Sequence, residues 1–150
     1  MHNMLNIGRK AMTPKSAFLS ILLLGAGTLA VVAQQPPTIK STPVIKTTAT
    51  MSDQPLVFPS EKPQTTVTIV EIAPGAATAR HKHPSIRYTY VMEGSLTVEM
   101  EGGMSHNYPP GSFIIEAVDQ WHLGKNASST PTKLLVIDHQ VEGRSNVITQ

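Results

Sequence analysis

After residue 33 the chain alternates short runs of apolar and β-branched residues with clusters of turn formers, and no stretch carries the 3.6-residue periodicity of an amphipathic helix. The run TTVTIVEI (Thr65–Ile72) is dominated by β-branched residues and stops at Pro74-Gly75. RYTYVM (Arg87–Met92) ends at Glu93-Gly94. In SLTVEM (Ser95–Met100), Leu96, Val98 and Met100 alternate with Thr97 and Glu99, the period of a strand with one buried face. Gly102-Gly103 then supplies the positive φ angles of a tight hairpin, and MSHNY (Met104–Tyr108) returns to Pro109-Pro110-Gly111, a type II turn signal. SFII (Ser112–Ile115) and KLLVIDH (Lys133–His139) complete the set. Short, regularly spaced strands predict an all-β fold, a small antiparallel barrel or sandwich. Its interior is expected to hold Ile69, Leu96, Val98, Met100, Ile114 and Val136.

The ends read differently. Arg9, Lys10 and Lys15 lead into the apolar run Ala17–Val32, which closes at Val31-Val32-Ala33 before polar Gln34-Gln35. This is the pattern of a secretory signal over residues 1–33, predicting export to a periplasmic or extracellular location. The rival reading is an uncleaved anchor, against which stand two internal glycines and a length below the roughly 20 residues that span a bilayer. Residues 34–45, QQPPTIKSTPVI, read as a flexible linker, residues 46–143 as the folded domain and residues 144–150 as a tail.

Composition narrows the chemistry. The formal net charge of +2 owes much to the three basic residues ahead of the apolar run; from residue 34 onward nine basic residues face ten acidic ones. A near-neutral chain offers no electrostatic footprint for nucleic acid, nor for an anionic membrane once the signal is removed. The chain has no cysteine, so any metal must be held by His, Asp or Glu. There is no phosphate loop, dinucleotide fingerprint or defensible Ser-His-Asp arrangement.

The chemistry-bearing stretch is RHKHPSIRYTYVMEGS (Arg80–Ser95). On a strand, His81 and His83 point to one face while Arg80 and Lys82 point away. Alone, such a pair is commonly incidental. Its surroundings are not: Gly75-x5-His81-x-His83-x3-Arg87-x6-Gly94 keeps the spacing of a motif written G-x5-H-x-H-x3–4-E-x6-G, and Gly111-x5-Ala117-x-Asp119-x2-His122-x3-Asn126 lies on a second, G-x5-P-x-G-x2-H-x3-N. These are the two motifs of the cupin superfamily, and the chain resembles its small single-domain members from about Val57 to His139. Three motif positions depart: Arg87 stands for the Glu, and Ala117 and Asp119 for the Pro and Gly.

The resemblance implies a jelly-roll-like double-stranded β-helix with His81, His83 and His122 around a divalent transition metal. Imidazole suits Fe, Mn, Ni, Cu or Zn without selecting among them. It also implies a small-molecule ligand and pairing of two copies through edge strands. With the Glu absent, the expected site carries an uncompensated dication and favours an anionic ligand. Two registers are open. An inward Arg87 would bind a carboxylate-bearing substrate bidentately; in the alternative, Tyr88 faces in and Arg87 lies outside.

Other side chains carry weaker signals. His106 reads as solvated, and His139 as a strand end or part of the barrel mouth. Asp138 and Glu116 are carboxylates near inner strands, either able to accept a proton if it faces in. Trp121 reads as core or pocket wall, Tyr88 and Tyr90 as a same-face packing pair, and Asn126-Ala127-Ser128 fits a glycosylation sequon. Three functions remain open: a metal-dependent dioxygenase, isomerase or lyase; a non-catalytic module binding or sensing a metal or small acid; and a metal-free barrel with an anion pocket.

Overall fold

The computed structural model describes residues 38–150. The signal assigned to residues 1–33 lies outside the described residues, as does the first part of the linker. The description below concerns the unit Lys40–Gln150.

Nine strands and no helix are found among the described residues: β1 (Pro63–Ile72), β2 (His81–Lys82), β3 (Arg87–Glu93), β4 (Leu96–Met100), β5 (Ser105–Tyr108), β6 (Phe113–Ile115), β7 (His122–Lys125), β8 (Thr132–Val141) and β9 (Ile148–Thr149). They form two sheets whose named strand pairs are all antiparallel. One runs in the order β1-β8-β3-β6 and the other β5-β4-β7-β2-β9. Ile72, Val91, Leu96, Val98, Met100, Ile114, Leu134 and Val136 form the buried core, one set of side chains from each sheet. This is the all-β, jelly-roll-like arrangement that the strand spacing implied.

Strand phase follows burial where the sequence alternates. In β4 the pattern is regular, with Leu96, Val98 and Met100 buried and Thr97 and Glu99 only partly so. The β4–β5 hairpin turns through Gly102 and Gly103, at φ 95° and 90°, angles that glycine adopts without a Cβ penalty. Gly94 is constrained more tightly. Its φ is 69°, and a Cβ there would lie 2.6 Å from the Pro131 carbonyl oxygen.

Five of the six expected interior residues are buried; Ile69 is not, at 49% exposure. In TTVTIVEI nearly every side chain is β-branched, so composition carries no phase. Pairing decides it. β1 lies against β8 with Val70 opposite Leu134 and Ile72 opposite Thr132, which sends Val67 and Ile69 to the outer face.

Three strands escaped the sequence reading because they are short. β7 contains Gly124, where a Cβ would meet the Leu96 side chain at 3.2 Å, so the glycine permits close approach to β4. β2 and β9 have two residues each. The segment 144–150, read from sequence as a tail, lies along β2. Ile148 pairs with Lys82, Thr149 with His81, and the Gln150 amide donates to the Arg80 carbonyl at 3.0 Å.

Candidate metal centre

His81 and His122 are direct cross-strand partners on β2 and β7, and His83 follows β2 immediately. The pleat sends Lys82 the other way, to an ion pair with Asp119 at 3.1 Å and a position over the Trp121 ring. The three imidazoles are buried, with ring centroids 4.6 to 5.0 Å apart.

Each ring is oriented by a backbone carbonyl. His81 Nδ1 lies 2.8 Å from the Ala79 oxygen, His122 Nδ1 2.8 Å from the Gln120 oxygen and His83 Nδ1 2.7 Å from the Asn146 oxygen. A carbonyl only accepts, so every Nδ1 carries the proton, and each Nε2 is left either to ligate as a lone pair in the neutral ring or to donate to Glu116 in the protonated one. Fixing one ring nitrogen so that the other can ligate is how proteins prepare metal-binding histidines.

A carboxylate completes the cluster. Glu116 Oε2 is 3.1 Å from His83 Nε2 and 3.2 Å from His122 Nε2, while Oε1 accepts a hydrogen bond from Thr89 Oγ1. One ligand atom from each of His81, His83, Glu116 and His122 falls within 4.8 Å of the others. Atoms bound at about 2.1 Å to one ion and at right angles to each other are about 3.0 Å apart, close to the Glu116 contacts. Three imidazole nitrogens and one carboxylate oxygen, pre-oriented and desolvated, fit a divalent transition ion.

The expectation of a site without a protein carboxylate is thus corrected. The register of β3 on β6 pairs Tyr88 with Ile115, and the Glu116 amide donates to the Arg87 carbonyl at 2.9 Å, so residues 87 and 116 stand opposite each other. The acidic group absent from position 87 has its counterpart in Glu116, the residue that follows β6 on the neighbouring strand.

Arg87 faces inward with buried Thr89 and Val91, and Tyr88 and Tyr90 face outward against Phe113. Its charge is compensated. Arg87 Nε and Nη2 donate to the two Asp138 oxygens, both at 2.8 Å, and Asp138 is its direct partner on β8. An inner row Glu116–Arg87–Asp138 therefore crosses three strands with alternating sign. The bidentate face of Arg87 is occupied by Asp138, whereas Nη1 makes no hydrogen bond among the described residues.

The charges act on one another. Burial alone would push Glu116 upward, but hydrogen bonds from His122 and His83, followed by the charges of His83 and Arg87, hold it well below its ordinary value. Burial likewise opposes protonation of His122, yet its bond to Glu116 and its Gln120 contact raise it. His81 is lowered, chiefly by burial, with the Ala79 contact opposing and its neighbouring histidines adding to the effect.

Below the cluster is a cavity of about 60 Å³ with two chemical ends. His81, His122, Glu116, Arg87 and Thr89 supply the polar end; Leu96, Val98, Leu134 and Val136 line the apolar wall.

The second motif's departures have structural equivalents. Asp119, at the motif's second glycine position, has a left-handed backbone, φ 54°, which Asp tolerates better than most residues and glycine adopts freely. Ala117 is fully buried, and the loop is braced by Gln54, whose side chain bonds both the amide and the carbonyl of Val118. Asn126 is buried and donates Nδ2 to the Ile72 and Thr130 carbonyls, so the sequon nitrogen is already engaged in the fold. His106 is exposed on β5 and apart from the cluster. His139 lies on the outer face, bonded to Thr65 and edge-on to Tyr88 and Phe58.

Sequence reasoning named Glu116 only as a proton acceptor and did not consider Thr89 or Asn146. β3 and β6 are not consecutive strands, so no hairpin signal aligned position 116 with position 87.

Residues 68–138 match the family described as "Cupin domain". Three solved structures share the fold, each with a TM-score of 0.50. The DMSP lyase DddQ of Ruegeria pomeroyi is 17% identical, covering 57% of this chain and 43% of the lyase. The polyketide cyclase RemF of Streptomyces resistomycificus is 23% identical, covering 57% and 59%. An oxalate decarboxylase from Bacillus subtilis is 20% identical, covering 60% and 24%. The match thus spans between about a quarter and three fifths of those proteins' lengths. No curated protein matches the sequence. Residues 68–138 thus carry the cupin match, and the two sheets described above extend beyond it on both sides, from Pro63 to Thr149.

Proposed function

We propose that this chain is an exported, metal-dependent cupin in which His81, His83, His122 and Glu116 hold one divalent transition ion that acts on a small oxygenated ligand. The observation that carries this reading is the common orientation of three imidazoles, each with Nδ1 held by a carbonyl, beside a carboxylate within 3.2 Å of two Nε2 atoms. When bound, such an ion supplies Lewis-acid polarisation of a ligand oxygen. The chain's own residues do the rest. Thr89 orients Glu116 through its hydrogen bond. Arg87, with its fork held by Asp138, offers Nη1 to a single ligand oxygen. Leu96, Val98, Leu134 and Val136 exclude water from the ligand's apolar side.

This arrangement suits isomerase, lyase or dioxygenase chemistry, and the fold does not choose among them. The small cavity favours a compact ligand. A non-catalytic binding module is the second reading. It is supported by the commitment of Glu116 to the histidines and of Asp138 to Arg87, which leaves no uncommitted carboxylate to move a proton. Export rests on the signal pattern of residues 1–33. Pairing of two copies belongs to the same proposal, with the exposed Val67 and Ile69 on edge strand β1 as the surface such a contact would cover.

The deciding experiment is metal analysis of untagged residues 34–150 beside the His81→Ala/His83→Ala double variant, after incubation with Fe, Mn, Ni, Cu and Zn. Near-stoichiometric metal lost in the variant supports the centre. No metal in either protein overturns it. Turnover of small carboxylates and enols by the loaded protein then separates the enzyme from the binding module.

A further inference from the structure

We infer that the segment Arg144–Gln150 is a strap belonging to the metal centre, and that Asn146 is the positioning residue coupling strap docking to metal occupancy. The inference rests on the reading of His81, His83, His122 and Glu116 as metal ligands. Six of these seven residues are exposed; Asn146 alone is buried, at 4%. Val147 and Ile148 are 37% and 43% exposed, so burial of apolar surface contributes little to holding the segment down.

What holds it is polar, and it is directed at the site. The Asn146 carbonyl accepts the proton of His83 Nδ1 at 2.7 Å. Its side-chain Oδ1 accepts from the Ser85 amide at 2.8 Å, just past His83, and Nδ2 donates to Asp138 Oδ1 at 2.6 Å. One residue therefore touches a candidate ligand, the backbone beside it and the carboxylate that neutralises Arg87. Beyond it, Thr149 pairs with His81 on β2.

Coupling follows from this connectivity. An ion on His83 Nε2 fixes the ring with Nδ1–H aimed at the Asn146 carbonyl, and the docked strap in turn presents that carbonyl before the ion arrives. Each event favours the other by the same factor, as linkage requires. Loss of such an outer partner typically weakens metal binding by about 10–100-fold.

The test uses zinc and cobalt(II) with residues 34–150, with Asn146→Ala, and with a chain ending at Gly143. Zinc should slow hydrogen exchange at the Gln150 amide of the parent protein. Both variants should lose about 10–100-fold in zinc affinity by chelator competition and show a shifted cobalt(II) visible spectrum. Gly94→Ala, which strains the fold at the β3–β4 turn, should keep parental affinity and so separate positioning from general destabilisation. Unchanged Gln150 exchange on zinc binding, with Asn146→Ala within twofold of parental affinity, overturns the coupling while leaving the centre standing. Absence of zinc and cobalt binding by the parent protein overturns the centre, and the coupling with it.

Discussion

The two sheets contribute to the site in different ways. The five-stranded sheet contributes histidines that are close in sequence or directly paired: His81 on β2, His83 two residues on, and His122 opposite His81. The four-stranded sheet contributes the row Glu116–Arg87–Asp138, whose members come from the end of β6, from β3 and from β8 and meet only through register. On one side a spacing carries the chemistry; on the other, strand pairing does. Changes to the first side should therefore abolish a function, whereas changes to the second should redistribute charge.

The largest effect is expected from His81→Ala/His83→Ala, which should reduce bound metal from near one equivalent to background by elemental analysis. The cavity-facing row should respond less completely but more diagnostically. Asp138→Asn leaves the Arg87 guanidinium, 15% exposed, without its counter-charge. Breaking a buried pair in this way costs about 3–5 kcal/mol, measurable by urea unfolding. Replacing both residues, as Arg87→Leu/Asp138→Leu, should cost less than the single change, because no buried charge is stranded. A double variant as unstable as Asp138→Asn would mean that the row is not an independent ion pair.

Glu116→Gln should lower zinc affinity by at least about tenfold, leaving three histidines in place. It should also change the pH dependence of the metal-free protein in a defined direction. Glu116 is held well below its ordinary value near 4.5, so its carboxylate contributes stability above that pH and loses it as pH falls through the folded-state value. His122 is raised, largely through Glu116 once burial is overcome, so its contribution is present below about pH 6.5 and is lost as pH rises through the raised value. The Gln variant should flatten both limbs of a stability–pH curve measured by denaturant melts. Retention of the parental curve would show that the His–Glu contacts do not set it.

The smallest effect is expected outside the barrel. Ile69→Lys lies at a 49% exposed position and should change the stability of a single copy by no more than about 0.5 kcal/mol. If two copies pair over β1, the same change should shift the protein to a smaller species by light scattering. An unchanged mass would place any pairing elsewhere.

Much of this is legible in the sequence. Alternation in Ser95–Met100 and the glycines at 102 and 103 predicted a hairpin that is present, because side-chain period and φ preference are local properties. The two motif spacings selected His81, His83 and His122, and the fold brings these three together. The phase of β1 was not legible, since a run of β-branched residues is compatible with either face until β8 is laid beside it. Nor was the strap: residues 144–150 carry little hydrophobic signal, and their docking depends on hydrogen bonds to residues some sixty positions earlier.

By itself, then, the sequence determined the all-β class, the turns and the histidine trio, each written in spacings of a few residues. Only the tertiary structure decided that a carboxylate joins the trio, that Arg87 is neutralised rather than free, and that Asn146 reaches the site. Antiparallel pairing across non-consecutive strands sets which side chains stand opposite, and that register depends on the packing of both sheets around one core. The acidic residue missing from the motif at position 87 is thus supplied by Glu116 directly across the sheet.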